Sequence, residues 1–203
     1  MGRPKVVGLT GGMASGKSLV REMFQSLGVP TWDADAAGRS LYSQSNELQS
    51  KCIQRWGQKV VSENGINRQA IAQIVFSNPA ELNWINRQVH PLVANEFTRW
   101  LASCPDDEVY VIRESAILIE SGSHLDCDAI ILVVAPEKER IRRAMVRDGL
   151  SKEQVMARLQ QQRNDEMRAE YADHCISNSD AMKRKDLFAR VQNVHDSLVK
   201  LLL

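Results

Sequence analysis

Residues 8–19 read GLTGGMASGKSL, and within them Gly11–Ser18 matches G-x-x-x-x-G-K-S without deviation. Few short segments constrain a fold more. The run Val6-Val7-Gly8-Leu9 before it is apolar enough for a buried strand. After it, Leu19, Val20, Met23, Phe24 and Leu27 recur at helical spacing, and Gly28 supplies a stop. Strand, loop and helix in that order make an anion cradle. Glycines let backbone N–H groups turn inward, and the helix N-terminus adds partial positive charge. Gly11, Gly12, Met13, Ala14, Ser15 and Gly16 would wrap the phosphates, Lys17 would reach the outer ones, and Ser18 would offer a hydroxyl to Mg²⁺. The plainer alternative, a glycine-rich turn with an incidental lysine, does not explain both flanks. By itself the motif leaves ATPases, GTPases and small-molecule kinases open.

The rest of the chain alternates strands and helices, which indicates a parallel sheet covered on both faces. Further strands are predicted at Val29–Trp32, Val109–Ile112, Ala129–Val134 and Cys175–Ser177. About 36–104 reads as almost wholly helical, with Asn78-Pro79 as a helix start and His90-Pro91 as a break between two helices. Pro136 opens a basic helix, Gly149 ends it, and Ser151–Gln154 forms a capping box for the next. Leu187 to Leu203 closes the chain as a helix. Ligands of such sheets bind at the carboxyl ends of strands, so residues there carry the chemistry.

Asp33 and Asp35 follow the second strand. A carboxylate at that place can take a proton from an attacking hydroxyl, hold Mg²⁺, or cap the next helix. Asp33 is read as the chemical residue and Asp35 as nearer the cap. Glu114 and Glu120 bracket the end of the third strand, and either can face the site. Residues 140–163 carry Arg140, Arg142, Arg143, Arg147, Arg158 and Arg163. Arg143 and Arg147 share a helix face, as a lid over transferring phosphate requires. Arg140 and Arg142 read as solvated, with Glu137, Glu139 and Glu153 available to pair. On its own, His90 reads as a corner residue, and the four tryptophans as packing.

Composition excludes several classes. Lys and Arg total 26 against 25 Asp and Glu, so nothing in the overall charge points to nucleic acid. No apolar run reaches transmembrane length, and the start resembles neither a signal peptide nor, with Val6 in place of Ser or Thr, a myristoylation site. The cysteines Cys52, Cys104, Cys127 and Cys175 lack metal-ligand spacing and read as reduced thiols of a cytoplasmic protein.

Taken together, GLTGGMASGKS at 8–18, DADAAGR at 33–39, NPAELNWINRQVHPLV at 78–93, AILIE at 116–120, RAMVRDGLSKEQVMARLQQQ at 143–162 and CISNSD at 175–180 resemble the dephospho-coenzyme A kinase family. The resemblance implies an α/β fold: a P-loop NTPase-type parallel sheet flanked by helices. It implies a single kinase domain with its core at about 1–35, 105–137 and 171–203, a helical acceptor-binding region at about 36–104 and a lid at about 138–170. It further implies ATP as donor, Mg²⁺, and transfer to the ribose 3′-hydroxyl of dephospho-coenzyme A, the last step of coenzyme A synthesis. By the same likeness Asp33 is the general base, and Lys17 and the loop amides hold ATP. Arg143 and Arg147 lie near the phosphates, Asn178 near adenine, and Arg39, His90 and Glu120 on the acceptor side. No nucleic acid or membrane partner is implied, and a monomer is favoured. Two residues depart from the family pattern: Ala14 replaces a glycine, which matters if that position needs positive φ, and Ala116 replaces a proline. A kinase for another nucleoside or small hydroxyl compound stays open. A GTPase-like switch lacks its N-K-x-D element, since Asn178 precedes Ser179-Asp180 and Asn86 precedes Arg87.

Overall fold

A computed structural model describes residues 3–63, 65–160 and 164–203. Met1-Gly2 and the lid cation Arg163 lie outside the described residues. The chain divides into two compact units, 1–33 with 103–203, and 34–102.

The first unit is built on β1 (Lys5–Thr10), the phosphate-loop helix α1 (Lys17–Ser26) and β2 (Thr31–Asp33). The second holds α2 (Ala34–Gln44), α3 (Asn46–Trp56), the two-residue strands β3 (Val61–Ser62) and β4 (Gly65–Ile66), α4 (Arg68–Ser77) and α5 (Pro79–Ala102). The chain then returns to the first unit with β5 (Tyr110–Glu114), β6 (Ala129–Val134), α6 (Glu137–Asp148), α7 (Lys152–Gln160), α8 (Asp165–Ala169), β7 (His174–Ser177) and α9 (Arg184–Leu202).

The five strands of the first unit form one parallel sheet in the order β2-β5-β1-β6-β7. Its central strands are apolar nearly throughout, as a sheet buried on both faces demands. On one face Val7, Leu9, Ile112, Ile131 and Val133 pack with Val20, Met23 and Phe24 of α1 and Leu187, Val191 and Leu198 of α9. Elsewhere Leu118, Ile119 and Ile130 form a smaller cluster with Cys127 and Ala172. The order places β5 and β1 well inside the sheet, so their carboxyl ends open beside the loop. No helix of the described residues is long and apolar enough to cross a membrane.

The second unit has its own core of Leu41, Leu48, Cys52, Val60, Ile71, Val75 and Ile85. Asn67 caps α4 by accepting from Gln69 and Ala70 N–H, and Asn78 Oδ1 accepts from Ala80 N–H at the start of α5. The break expected at His90-Pro91 does not occur, for α5 runs through Pro91 as one helix of 24 residues. A proline there removes one helical hydrogen bond at a cost of about 3 kcal/mol. Burial of Ile85 before it and Phe97 and Leu101 after it holds both halves in one helix. The β3–β4 hairpin also interrupts a stretch expected to be helical.

Candidate active site

The loop closes through its own backbone. Ser15 N–H donates to Gly12 O at 3.1 Å, and Gly16 turns the chain into α1 with φ of 100°. Only glycine fits at Gly16, because a Cβ would also sit 2.0 Å from Asn178 Nδ2. That amide donates to Ser15 O at 2.8 Å, so the end of β7 braces the loop from the far side of β6. Lys17 is buried and its ammonium donates to Gly11 O at 3.0 Å and Gly12 O at 3.3 Å, which holds the charge over the loop mouth.

Ala14 has φ of 58°, and no other non-glycine residue among those described has positive φ. The left-handed conformation costs an L-residue about 1–2 kcal/mol. The position therefore does need the backbone that the missing glycine would supply freely.

Three strand ends meet beside the loop. Glu114 is in register with Leu9 of β1 on one side and with Asp33 of β2 on the other. It is only 4% exposed, and it accepts a hydrogen bond from Ser18 Oγ at 3.2 Å. Arg21 of α1 bridges the two carboxylates: its Nη1 donates to Asp33 Oδ2 at 2.9 Å, and its Nε lies 3.1 Å from Glu114 Oε2. The second contact is an ion pair without hydrogen-bond alignment, since neither atom has a hydrogen-bond partner. Burial pushes the Glu114 carboxyl pKa up; the Arg21 cation pulls it back, Asp33 adds to the rise, and Lys17 and the Ser18 hydroxyl oppose it. The sequence does not distinguish Glu114 from Glu120. The structure turns Glu114 into this cluster, whereas Glu120 Oε1 accepts from Arg168 Nη2 at 2.7 Å.

The basic helix α6 distributes its arginines unevenly. Arg143 donates to Asp180 at 2.7 Å, to Glu139 at 3.2 Å and to Asn178 O at 3.1 Å, which ties the helix to the loop after β7. Arg142 also binds Asp180. Arg147 instead pairs with its neighbour Asp148 at 2.7 Å and stays exposed. Arg140, expected to be solvated, is buried: its Nε donates to Met13 O at 3.2 Å and its Nη1 to Asp165 at 2.7 Å. Glu139, one of the three carboxylates expected to pair with Arg140 and Arg142, is taken by Arg143 and by Asp180 N–H. Helical spacing carries the signal, because positions 140, 143, 144 and 147 lie on one face and Ala144 is fully buried. Arg21 has no sequence signal beyond its place in α1.

Arg39 of α2 and His90 of α5 belong to the helical unit. His90 is half-buried, and burial lowers its pKa, so the ring is neutral at neutral pH. All four cysteines are free thiols.

A phosphate cradle between strand and helix, carboxylates at adjacent strand ends and a basic helix across the loop together define a P-loop kinase. The family model described as Dephospho-CoA kinase matches residues 5–184, and the chain belongs to that family. A dephospho-CoA kinase of Pasteurella multocida is 34% identical over 179 residues, covering 88% of this chain and 86% of that relative. Among solved structures, TT1252 from Thermus thermophilus superposes with a TM-score of 0.84 at 30% identity, covering 97% of this chain and 98% of that one. The dephospho-CoA kinase of Campylobacter jejuni superposes with a TM-score of 0.70 at 25% identity, covering 98% of each.

Two outcomes follow from this geometry. Ala14→Gly removes the left-handed strain and restores chain entropy to the unfolded state, for a net gain of about 0.5–1 kcal/mol. Chemical denaturation should show the midpoint rise without a change in slope; a fall would contradict the strain. Glu114 has a folded pKa above its unfolded one. Its favourable proton binding is fully present below the ordinary carboxylate range and is lost as pH rises through the raised value. The ionised group therefore weakens the fold at neutral pH. Glu114→Gln should raise the thermal midpoint near pH 7, with the gain vanishing in acid, and should lower phosphoryl transfer. A gain independent of pH would contradict the burial argument.

Proposed function

We propose that the chain transfers the γ-phosphoryl group of ATP to the ribose 3′-hydroxyl of dephospho-coenzyme A, releasing coenzyme A and ADP. The observation that carries this is Asp33 and Glu114 side by side at strand ends next to an intact phosphate loop, in a chain of this family. The amides of Gly11 to Ser18 hold the phosphates, and Lys17 exchanges its carbonyl partners for phosphate oxygens. Asp33, oriented by Arg21, accepts the proton of the attacking hydroxyl. Arg143 and Arg147 neutralise charge from the lid, and Asn178 lies toward the adenine. Family likeness assigns Arg39, His90 and Glu120 to the acceptor.

Ser18 and Glu114 are the residues that would hold Mg²⁺. Their donors are all oxygen, Glu114 Oε2 is buried without a hydrogen bond, and Mg²⁺ takes one or two protein ligands with phosphate and water. When bound, the ion neutralises charge developing between the outer phosphates. We place the enzyme in the cytoplasm and read it as a monomer.

The test is ATP and Mg²⁺ with a panel of hydroxyl acceptors. Dephospho-coenzyme A should give by far the highest kcat/KM, and preference for another nucleoside would overturn the substrate. Asp33→Asn should lower kcat by roughly 10²–10⁴-fold, with ATP affinity nearly unchanged. Loss of ATP–Mg²⁺ binding instead would make Asp33 a metal-site residue.

A further inference from the structure

We propose, resting on the kinase reading above, that Arg140 is a positioning residue of the phosphate loop, held in place by the ion-pair chain Asp165–Arg168–Glu120. Its guanidinium lies against Gly12, where a Cβ would meet Nη2 at 2.4 Å and Cζ at 2.5 Å. From there Nε donates to Met13 O at 3.2 Å. The Met13 carbonyl and the Ala14 N–H belong to one planar trans peptide and point in opposite directions. Fixing the carbonyl toward Arg140 therefore fixes the Ala14 N–H away from it. The same peptide leads into Ala14, whose φ of 58° is unfavourable for alanine. Strained backbone persists where its surroundings over-determine it, and Arg140 holds the peptide that leads into Ala14.

The arginine is itself held. Asp165, at the start of α8 where Asn164 is the cap, accepts from Arg140 at 2.7 Å through Oδ2 and from Arg168 at 3.2 Å through Oδ1. Arg168 is fully buried and donates onward to Glu120 at 2.7 Å. The four charges alternate and cancel, so each fixes its neighbours, and removal of either acid leaves a buried arginine with one partner fewer. A planar guanidinium with donors at set angles serves both Met13 and Asp165; an ammonium cannot match that fork. Glu120, assigned to the acceptor by likeness, is thereby linked through α8 to the donor loop.

The test is ADP–Mg²⁺ affinity by calorimetry, with kcat and KM for ATP, on Arg140→Gln, Asp165→Asn, Ala14→Gly and the Arg140→Gln/Ala14→Gly pair. Arg140→Gln should bind ADP about tenfold more weakly, as loss of a charge-assisted bond predicts, and leave the acceptor KM unchanged. Asp165→Asn should shift affinity in the same direction by less. Because a glycine in place of Ala14 adopts the loop conformation unaided, the Arg140→Gln loss should shrink in the Ala14→Gly background. A merely structural clamp would lower thermal stability in both backgrounds alike and leave ADP affinity untouched. Wild-type ADP affinity in folded Arg140→Gln, or in Asp165→Asn should the first not fold, would overturn the proposal. So would equal losses with and without the Ala14→Gly substitution. Absence of ADP binding by the wild type would instead overturn the kinase reading itself.

Discussion

A backbone that must point several N–H groups at one centre has little of its own to hold it there. Those donors are unsatisfied unless an anion arrives, and the turn that presents them needs left-handed residues. Here the support comes from three directions. Lys17 ties down the Gly11 and Gly12 carbonyls, Asn178 the Ser15 carbonyl, and Arg140 the Met13 carbonyl. Each of these residues is at least nine-tenths buried, so the loop is cast in the fold rather than draped over it. The parallel sheet makes this possible. Its order puts β1 at the centre with β6 then β7 on one side, so that Arg140 of α6 and Asn178 just after β7 both reach the loop from that flank, while Lys17 reaches it from α1.

The same edge collects charge that the fold alone would not choose. Glu114 stands beside Asp33, buried and pushed toward protonation, with Arg21 and Lys17 as partial compensation. A well-packed apolar residue at Glu114 would be the more stable choice. The arrangement is intelligible if the carboxylates serve a cation and a hydroxyl that arrive with substrate. Strain at Ala14 has the same character: unfavourable locally and held by neighbours.

What is legible in the sequence depends on how local its cause is. The loop, its flanking strand and helix, the Asn78 and Ser151 caps and the Gly149 stop are set by residues within a few positions of each other. Pro91 misleads because the cost of one missing hydrogen bond is local, whereas the packing of Ile85, Phe97 and Leu101 that outweighs it is not. The β3–β4 hairpin is too short for periodicity to register. Glu114 and Glu120 cannot be separated without the register of β5 against β1 and β2. Arg140 is readable in part: its helical face is decidable, but the pull of nearby glutamates suggests solvent, and its partner Asp165 lies 25 residues on.

The proposed function makes the loop and the carboxylate cluster the seat of a phosphate–cation pair supplied from outside. Thermal unfolding with ADP, with Mg²⁺ and with both together tests it most directly. The account predicts that both together at about a hundred times the dissociation constant add about 2.7 kcal/mol, a midpoint rise of roughly 5–10 °C for a chain of this size, and that either alone does much less. Equal shifts with ADP alone and with the pair, or no shift with either, would contradict it.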